Sequence, residues 1–272
     1  MSECQMPLQR PFLRWAGSKR RLLPRLMEYW MPRAERYVEP FMGSACLFFA
    51  LQPACGLLAD LNGELVATFL TVRDQPSAVS LALARLPIGR ATYERLRGQD
   101  TRRLSALARA ARFIYLNRFC FNGLYRTNLA GQFNVPFSNS RTGPLPSAAD
   151  LIAASRVLSS AELRVSDFED TFASVCRGDF VYADPPFAVS NRRVFSQYGP
   201  SPFGAADLGR LGDCLRRIDK KGVPFVVSYA LCKEALEAFS AWKVTRVQTQ
   251  RNISGFAKHR RKAVELIVTN IQ

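Results

Sequence analysis

The chain has 272 residues, 48% of them hydrophobic, and its 38 lysines and arginines outnumber its 22 aspartates and glutamates to give a net charge of +16. This is the composition of an ordinary globular protein, and the sequence contains no apolar run approaching the ~20 residues of a membrane-spanning helix. The basic excess favours a polyanionic partner, because neutralised phosphates release counterions. A basic proteome or an anionic membrane surface is the alternative.

The cysteines and the histidine argue against disulfide, metal and histidine chemistry. The seven cysteines are an odd number without a CxxC pair, which is typical of reduced thiols rather than of disulfides or a zinc site. The single histidine, His259, lies in a basic polar stretch, where an exposed loop residue is the simpler interpretation. The N-terminal "MSECQMPLQRPF" lacks the apolar core of a signal peptide. We therefore expect a cytoplasmic protein without a metal.

Residues 1–70 predict a helix followed by two strand–helix units. The segment "GSKRRLLPRLMEYW" predicts a helix with Ser18 as its N-cap and Pro24 in its first turns. Residues 36–41 predict a short strand that breaks into the small-residue turn "MGSAC", after which "LFFAL" begins a helix. Residues 56–60 predict a second strand, and "LNGELVATFLTVR" a further helix. The first helix has one apolar face, formed by Leu22, Leu23, Leu26, Met27 and Trp30.

The remaining sequence predicts an inserted region and then a return to strands. Residues 71–145 combine an arginine-rich, helix-favouring stretch with "FNGLYRTNLAGQFNVPFSNSRTGP", which is rich in turn formers. A helix is predicted at 205–221, and strands are predicted at 162–168, 179–186, 223–230, 242–250 and 261–270. Alternating strands and helices indicate an α/β fold with a Rossmann-like, mostly parallel sheet. The last two strands have no helix between them, so we expect an antiparallel hairpin at one edge.

Acidic residues stand at the ends of four predicted strands, at Glu39, Asp60, Asp167 and Asp184. Each could be an ordinary turn former, and "DPP" often only terminates a strand because proline cannot donate to the sheet ladder. Together they indicate a ligand site, since ligands of such sheets bind beyond the carboxyl ends of the strands. The small-residue turn "FMGSA" would admit a nucleotide-type ligand, and Asp60 suits the hydroxyls of a ribose.

Several longer motifs then occur in a characteristic order. These are "FLRWAGSKRRLLPRL", "YVEPFMGSACLFFAL", "LLADLNGEL", "YLNRFCFNGLYRTNLAGQFNVPF", "SDF", "ADPPF" and "RNISGFAKHRRKAVELIVTN". The series covers nearly the whole chain and resembles the Dam-type family (D12 class, alpha group) of DNA adenine-N6 methyltransferases, which use S-adenosylmethionine. The resemblance implies a site-specific enzyme acting on double-stranded DNA in a bacterial or phage-infected cell. It also implies a catalytic domain in two parts, 1–70 and 146–272, around a target-recognition domain at 71–145.

The resemblance places the chemistry at "DPPF". The adenine amino group is conjugated to its ring and is a poor nucleophile. The carboxylate of Asp184 and the carbonyl of Pro185 would accept its hydrogens and turn its lone pair toward the methyl group. Pro185 and Pro186 would keep these acceptors rigid, and Phe187 would stack on a base flipped out of the duplex. This chemistry needs no metal and no covalent enzyme intermediate.

The resemblance also implies two sets of binding residues. Those expected around the cofactor are Trp15, Ala16, Lys19, Glu39, Phe41, Gly43, Asp60, Asp167 and Phe168. Those expected at the DNA are Arg118, Phe121, Asn122, Leu124, Arg126, Asn128, Pro136, Lys258 and Arg260. Arg126 has the planar fork that reads guanine in the major groove, and family members with this signature often act at GATC.

Structural roles are the alternative for part of these sets. Trp15 and Phe168 would then be core residues, and Lys19 a solvated charge at a helix start. The hairpin tip "AKHRRK" would be solvated rather than a phosphate clamp. Turn or cap roles are the alternative for three polar residues of the insert: Arg118, Asn128 and Asn134.

Three positions depart from the family pattern. Ala45 replaces a glycine, which matters where that position needs a positive φ. Ser18 also replaces a glycine. Phe187 replaces a tyrosine and therefore lacks its hydroxyl. Phe187 and Ala45 are the support for one rival, a degenerate relative that binds cofactor or DNA without turnover. A second rival transfers to cytosine N4, where the motif more often begins with serine, and protein glutamine methylation usually has asparagine there. A restriction enzyme would be a partner only through a shared site.

Overall fold

The computed structural model describes residues 9–128, 130–140, 142–187, 203–250 and 262–272. Ten α-helices lie in this part of the chain: α1 Leu23–Met27, α2 Cys46–Leu51, α3 Gly63–Asp74, α4 Pro76–Ala84, α5 Arg90–Arg97, α6 Ala106–Phe119, α7 Ala148–Leu158, α8 Phe168–Ala173, α9 Ala205–Lys220 and α10 Lys233–Ala238. Short 3-10 helices occupy Thr101–Arg103 and Phe121–Gly123. The strands are β1 Arg36–Glu39, β2 Gly56–Asp60, β3 Ala161–Val165, β4 Asp179–Ala183, β5 Phe225–Ala230, β6 Lys243–Gln250 and β7 Lys262–Thr269.

The strands form one sheet in the order β3-β2-β1-β4-β5-β7-β6. The pairs from β3 to β5 are parallel, whereas β7 runs antiparallel to both β5 and β6. The expected α/β class, the mostly parallel sheet and the antiparallel hairpin at one edge are all confirmed. From β1 the chain adds β2 and β3 on one side of β1, and then crosses back to add β4 and β5 on the other side, so the topological switch point lies between β1 and β4. Ligands of doubly wound sheets bind at such a point.

Both faces of the sheet are covered by apolar clusters. Successive side chains of the central strands point to opposite faces of the sheet. Tyr37 and Phe180 pack in one cluster, and the next residues along each strand, Val38 and Val181, pack in the other. Such two-sided burial is typical of parallel strands. The first cluster also contains Phe113 of α6, so helices on both sides of the predicted boundary at residue 70 share a core. The division into a catalytic and an inserted domain stays a prediction.

Several element ends differ from the predictions, each for a local reason. The prediction that Ser18 caps the first helix was wrong: α1 begins at Leu23 with Leu22 as its N-cap, because Pro24 is tolerated only in the first turn. The strand predicted at 162–168 ends at Val165, since Asp167 is the N-cap of α8. The strand predicted at 179–186 ends before the two prolines. The first helix also ends at Met27, three residues before the end of the predicted segment. The remaining ends agree or differ by one or two residues, which is the usual uncertainty of helix and strand ends.

Candidate active site

The sheet brings the four predicted acidic residues to one edge. Glu39 is the last residue of β1, Asp60 is the last residue of β2, and Asp184 directly follows β4. Asp167 lies two residues beyond β3 and caps α8 by accepting the Glu169 N–H at 2.9 Å. We call these four carboxylates the rim. They lie at the carboxyl ends of neighbouring parallel strands, with Glu39 and Asp184 flanking the switch point.

Asp184 is held by two donors on the same carboxylate oxygen. Lys19 Nζ lies 2.7 Å from Asp184 Oδ1, and Ser228 Oγ donates to the same atom at 2.9 Å. The register of β4 and β5 pairs Ala183 with Val227, so Ser228 lies level with Asp184. Since the Ser228 hydroxyl hydrogen is used there, the Tyr182 hydroxyl, 2.9 Å from Ser228 Oγ, donates to Ser228. Both contacts use Oδ1, so Oδ2 can accept a further hydrogen bond.

Lys19 is a buried cation at the centre of this site. Its side chain is 5% exposed, so the alternative of a solvated charge is wrong. Besides Asp184 it donates to the carbonyl of Gly17 at 2.9 Å and lies 3.9 Å from Glu265 Oε2 on β7. Its ammonium lies 5.2 Å from the ring centre of Phe187. Lys19 thereby links the N-terminal segment to the end of β4 and to β7.

The DPPF segment turns an aromatic ring toward the same place. Pro185 is buried, while Pro186 and Phe187 are half-buried. The ring of Phe187 packs edge-to-face against Tyr229 on β5, with centroids 5.3 Å apart and planes at 87°. Edge-to-face pairs of this kind fix the orientation of both rings. The side chain that replaces the family's tyrosine is therefore anchored without a hydroxyl.

Burial changes the acidity of two rim carboxyls. It raises the pKa of Glu39 well above the usual range; a 2.9 Å hydrogen bond from the Tyr37 hydroxyl opposes this rise and the charge of Asp184 adds to it. Burial also raises the pKa of Asp60 to about 6, although backbone N–H groups oppose the rise. Gly43 N donates to Asp60 Oδ2 at 3.1 Å and Asn62 N to Oδ1 at 2.9 Å.

The loop between β1 and α2 contains two residues in the left-handed region. Gly43 has φ +46°, and a Cβ at this position would lie 2.9 Å from Nε1 of Trp15, so only glycine fits. Ala45, the N-cap of α2, has φ +51° and is fully buried. This position therefore needs a positive φ, and the alanine is strained where glycine would not be. Ser18, the other glycine replacement, is not among the residues with positive φ in the described part of the chain.

A second, aromatic part of the site surrounds Phe168. Its ring centre lies 5.2 Å from that of Phe41, and both lie 6.1 Å from Phe203, which precedes α9. The guanidinium of Arg210 on α9 lies 4.6 Å from the same ring and 2.7 Å from Asp167 Oδ1. Phe168 is buried while Phe41 is half-buried. The pair Asp167 and Phe168 thus combines a carboxylate with a flat apolar surface.

Trp15 connects this edge to the inserted region. Its ring stacks with Tyr125 at 6.1 Å and with Phe113 at 6.5 Å, and these two stack with each other at 5.4 Å. The next residue, Ala16, donates its N–H to the carbonyl of Gly123 at 3.3 Å. The N-terminal segment therefore contacts both the loop at Gly43 and the insert.

The insert forms a short antiparallel hairpin over residues 120–137, closed by the pairs Cys120–Phe137 and Thr127–Phe133. We call it the 120–137 hairpin. Arg126 and Asn134 face each other in it: Arg126 Nε donates to Asn134 Oδ1 at 2.7 Å, and Asn134 N donates to the Arg126 carbonyl at 3.0 Å. Arg126 and Leu124 are half-buried, and Pro136 is exposed.

The surface of this hairpin also carries an apolar side chain and a strained residue. Phe121 is exposed, although large apolar side chains are usually buried. Asn122 beside it has φ +53°, a conformation that asparagine tolerates better than most residues. The expected pair at the flipped-base gap therefore lies together at one end of the hairpin.

Two residues predicted to bind DNA, Asn128 and Arg118, make the contacts expected of turn or structural residues. Asn128 accepts the N–H groups of Ala130 at 3.1 Å and Gln132 at 2.9 Å, which closes the turn of the hairpin. Arg118 is half-buried, its Nη2 donates to the Phe12 carbonyl at 3.3 Å, and burial lowers its pKa. Lys258, His259 and Arg260 lie outside the described residues.

Sequence reasoning missed five residues of the site: Tyr182, Ser228, Glu265, Phe203 and Arg210. A polar residue inside an apolar strand is a usable signal, because burying it without a partner is costly. Ser228 in "VPFVVSYA" and Glu265 in "KAVELIVTN" carry that signal. Arg210 carries none, since it stands among other arginines on an amphipathic helix.

Comparison with known proteins identifies the family. The sequence model of the D12 class N6 adenine-specific DNA methyltransferases matches residues 15–253. The chain belongs to this family. It is 33% identical to "Type II methyltransferase M1.LlaDCHI" of Lactococcus lactis subsp. cremoris, over 96% of this chain and 95% of that protein. It is 31% identical to a "DNA adenine methylase" of Haemophilus influenzae, over 95% and 92% of the two chains, and 28% identical to one of Escherichia coli K12, over 96% and 95%.

Family membership confirms the predicted class, an adenine-specific DNA methyltransferase that acts at N6. It also favours adenine over cytosine N4 as the target. Within the described residues, no cluster of three or more His, Cys, Asp or Glu side chains could hold a metal ion. None of the helices in the same ranges is long and apolar enough to cross a membrane.

Proposed function

We propose that the rim binds S-adenosylmethionine and that its methyl group is transferred to N6 of an adenine flipped out of duplex DNA. The observation that carries this proposal is the geometry at Asp184. Its carboxylate lies at the switch point, is fixed by Lys19 and Ser228 through one oxygen, and has the Phe187 ring nearby. A target amino group could then be accepted by Oδ2.

The residues around the rim fit this cofactor. Asp60 would accept the ribose hydroxyls, as its carboxylate is already oriented by two backbone N–H groups. Gly43 lets the Trp15 ring pack closely against this loop, because a Cβ there would lie 2.9 Å from Trp15 Nε1. Asp167 and Phe168 offer an acceptor and a flat surface to the adenine ring. The remaining expected contacts, toward the methionine end and the loop, are Ala16, Lys19, Glu39 and Phe41. When bound, the cofactor supplies an electrophilic methyl group on a sulfonium.

The protein's part in the transfer is positioning. Asp184 Oδ2 and the carbonyl of Pro185 would accept hydrogen bonds from the two amino hydrogens and turn the nitrogen lone pair toward the methyl group. As the bond from N6 to the methyl carbon forms, the bond from that carbon to sulfur would break with its electron pair left on sulfur, and N6 would release one hydrogen as a proton to water. The prolines and the Lys19–Asp184–Ser228 contacts hold these acceptors in place before the base arrives. Preorganised acceptors of this kind avoid the cost of reorientation during reaction. Phe187, fixed by Tyr229, would stack on the extruded base.

The 120–137 hairpin is the surface that would read the DNA. Arg126 would donate to guanine O6 and N7 in the major groove, and Leu124 and Pro136 would contact bases beside it. Phe121 and Asn122 would occupy the gap left by the flipped base. Lys258 and Arg260 would contact phosphates. We propose GATC as the recognition sequence, and a restriction endonuclease would be linked to this enzyme only by sharing that site.

The test is to express the protein in a host that lacks DNA methylation and to map modified bases across the genome. We expect N6-methyladenine confined to GATC, and a loss of at least about 10²-fold in rate for Asp184→Ala, because one positioned polar contact is typically worth that much. Asp213→Ala, which removes an exposed carboxylate on α9, is the matched control and should methylate normally.

Each other outcome corrects a different part of the proposal. N4-methylcytosine would overturn the target base, and a different adenine motif would overturn GATC alone. Soluble protein that binds the cofactor but leaves no modified base would favour the degenerate relative. Normal methylation by Asp184→Ala, with its fold intact, would refute the assigned role of that carboxylate.

A further inference from the structure

One arginine on α9 contacts both residues that would hold the adenine ring of the cofactor. Arg210 Nη2 lies 2.7 Å from Asp167 Oδ1, and its guanidinium carbon lies 4.6 Å from the ring centre of Phe168. Residues 167 and 210 are 43 positions apart. The contact therefore ties the start of α8 to α9, on one side of the rim.

Two further carboxylates fix the orientation of this guanidinium. Nε and Nη2 donate to Glu169 Oε2 at 3.1 and 2.8 Å, and Nη1 donates to Asp207 Oδ1 at 3.0 Å. The hydrogen bonds with Glu169 and Asp207 and the charge of Asp167 raise the pKa of Arg210 above its usual range. Because the planar guanidinium binds three carboxylates at once, the Arg210 side chain has a single orientation, and a lysine could not make the same set of contacts.

Stability does not account for this arrangement. Arg210 is 39% exposed and Glu169 is 41% exposed, and ion pairs between exposed side chains contribute little to stability. The contacts of Arg210 instead fix the conformation of Asp167 and Phe168. Asp167 Oδ1 receives both Arg210 and the Glu169 N–H, so Oδ2 can accept from a ligand. The ring of Phe168 is in contact with the guanidinium, with Phe41 and with Phe203.

We propose that Arg210 is a positioning residue that holds Asp167 and Phe168 in the orientation that recognises the adenine ring of the cofactor. This inference rests on the proposed function, in which S-adenosylmethionine binds at the rim. It assigns the recognition of the cofactor's base to α9 as well as to the strand ends. Arg210 contacts the two recognising residues and acts through them.

The test measures binding of S-adenosylhomocysteine and S-inosylhomocysteine by calorimetry, without DNA. The second ligand has a carbonyl in place of the adenine amino group, so its position 6 presents an acceptor instead of a donor to Asp167, and N1–H is the donor that remains on this edge of the ring. We expect Arg210→Gln to raise the Kd for S-adenosylhomocysteine about tenfold, as expected for losing hydrogen bonds to a charged group, and to reduce the ratio between the two ligands. The KM for DNA and the unfolding temperature should change little.

Arg217→Gln is the matched control on the same helix. Arg217 lies 3.4 Å from Glu169, but its recorded partners, Glu169 and Cys214, include neither Asp167 nor Phe168. We expect its Kd values and their ratio to match the wild type. If Arg210→Gln does not fold, Arg210→Lys carries the same test, because lysine keeps the charge but cannot bridge Asp167 and Glu169 in one plane.

The outcomes separate this inference from the proposed function. A wild-type protein that binds neither ligand would overturn the cofactor assignment itself. A wild type that prefers S-adenosylhomocysteine, with an Arg210→Gln variant that keeps the same affinity and the same ratio, would overturn the role of Arg210 alone. An equal loss of affinity in Arg210→Gln and Arg217→Gln would also overturn it, because it would point to a general effect of charge on α9.

Discussion

The rim and the 120–137 hairpin hold their functional side chains in different ways. Asp184 lies at the end of a strand in the middle of the sheet and is fixed by Lys19 and by Ser228 of the neighbouring strand, both buried. In the hairpin, Arg126 is half-buried and is held by Asn134, the residue opposite it. The first arrangement permits almost no choice of rotamer, whereas the second includes a contact between two side chains that are only half-buried. Changes at the rim should therefore alter rate, and changes in the hairpin should alter sequence preference.

The strongest test of this difference, after loss of Asp184 itself, is Ser228→Ala. The substitution removes one of the two donors on Asp184 Oδ1 and leaves the Tyr182 hydroxyl without its acceptor. We expect the single-turnover methylation rate to fall at least about tenfold, since a hydrogen bond to a charged group is worth about 1.5–3 kcal/mol. The methylated sequence and the Kd for S-adenosylhomocysteine should not change.

Tyr182→Phe is the control for that experiment. It removes the hydroxyl that donates to Ser228 but leaves the Ser228–Asp184 contact in place. Burial raises the pKa of Tyr182 well above its usual range, so this hydroxyl is a donor across the working pH range. A smaller loss than for Ser228→Ala is expected. A full rate in Ser228→Ala would show that Lys19 alone is enough to position Asp184.

The role of the 120–137 hairpin in sequence preference is tested by substituting Asn134. Asn134→Ala removes the acceptor of Arg126 Nε, whereas Asn134→Asp keeps an oxygen in that place. We expect the alanine variant to lose about fivefold of its preference for the cognate site over sites with one changed base, a fraction of the ~1–3 kcal/mol that a bidentate guanine contact contributes. Arg126→Ala should lose more. The measurement is the ratio of methylation rates on matched oligonucleotide duplexes.

The aspartate variant decides how Asn134 acts. If the residue orients Arg126, Asn134→Asp should retain the preference even where the added negative charge weakens DNA binding overall. If its amide instead donates to the DNA, the aspartate and alanine variants should lose preference equally. If Asn134→Ala leaves the preference for the cognate site unchanged, then other contacts of Arg126 are enough to orient its side chain.

The sequence predicts the rim better than it predicts the contacts that hold the rim. Glu39 and Asp60 end apolar strands and Asp184 directly follows one, and parallel strands bring their carboxyl ends to one edge of the sheet whatever their side chains are. The contacts of Asp184 with Lys19 and Ser228 depend on strand register and on the path of the N-terminal segment, which no local pattern encodes. Ser18 shows the same limit at short range, because Pro24 rather than the available hydroxyl determined where α1 begins.

The smallest effect is expected at Ala45, where the loop between β1 and α2 contains backbone strain. A left-handed alanine costs about 1–2 kcal/mol. Ala45→Gly would relieve this but lose a buried methyl worth about 0.8 kcal/mol and gain about 0.5–1 kcal/mol of unfolded-state freedom. These contributions nearly cancel, so we expect the free energy of unfolding in urea to stay within about 1 kcal/mol of the wild type.

Ala50→Gly, at the last but one residue of the same helix α2, is the control for this small expected difference. Ala50 is also buried and has ordinary helical conformation, so glycine there relieves no strain. The same losses, of a methyl group and of chain entropy, should then appear in full as about 1.5 kcal/mol of destabilisation. Equal destabilisation by the two substitutions would mean that the loop tolerates φ +51° at Ala45 without cost, and that a glycine at this position is not required by the backbone.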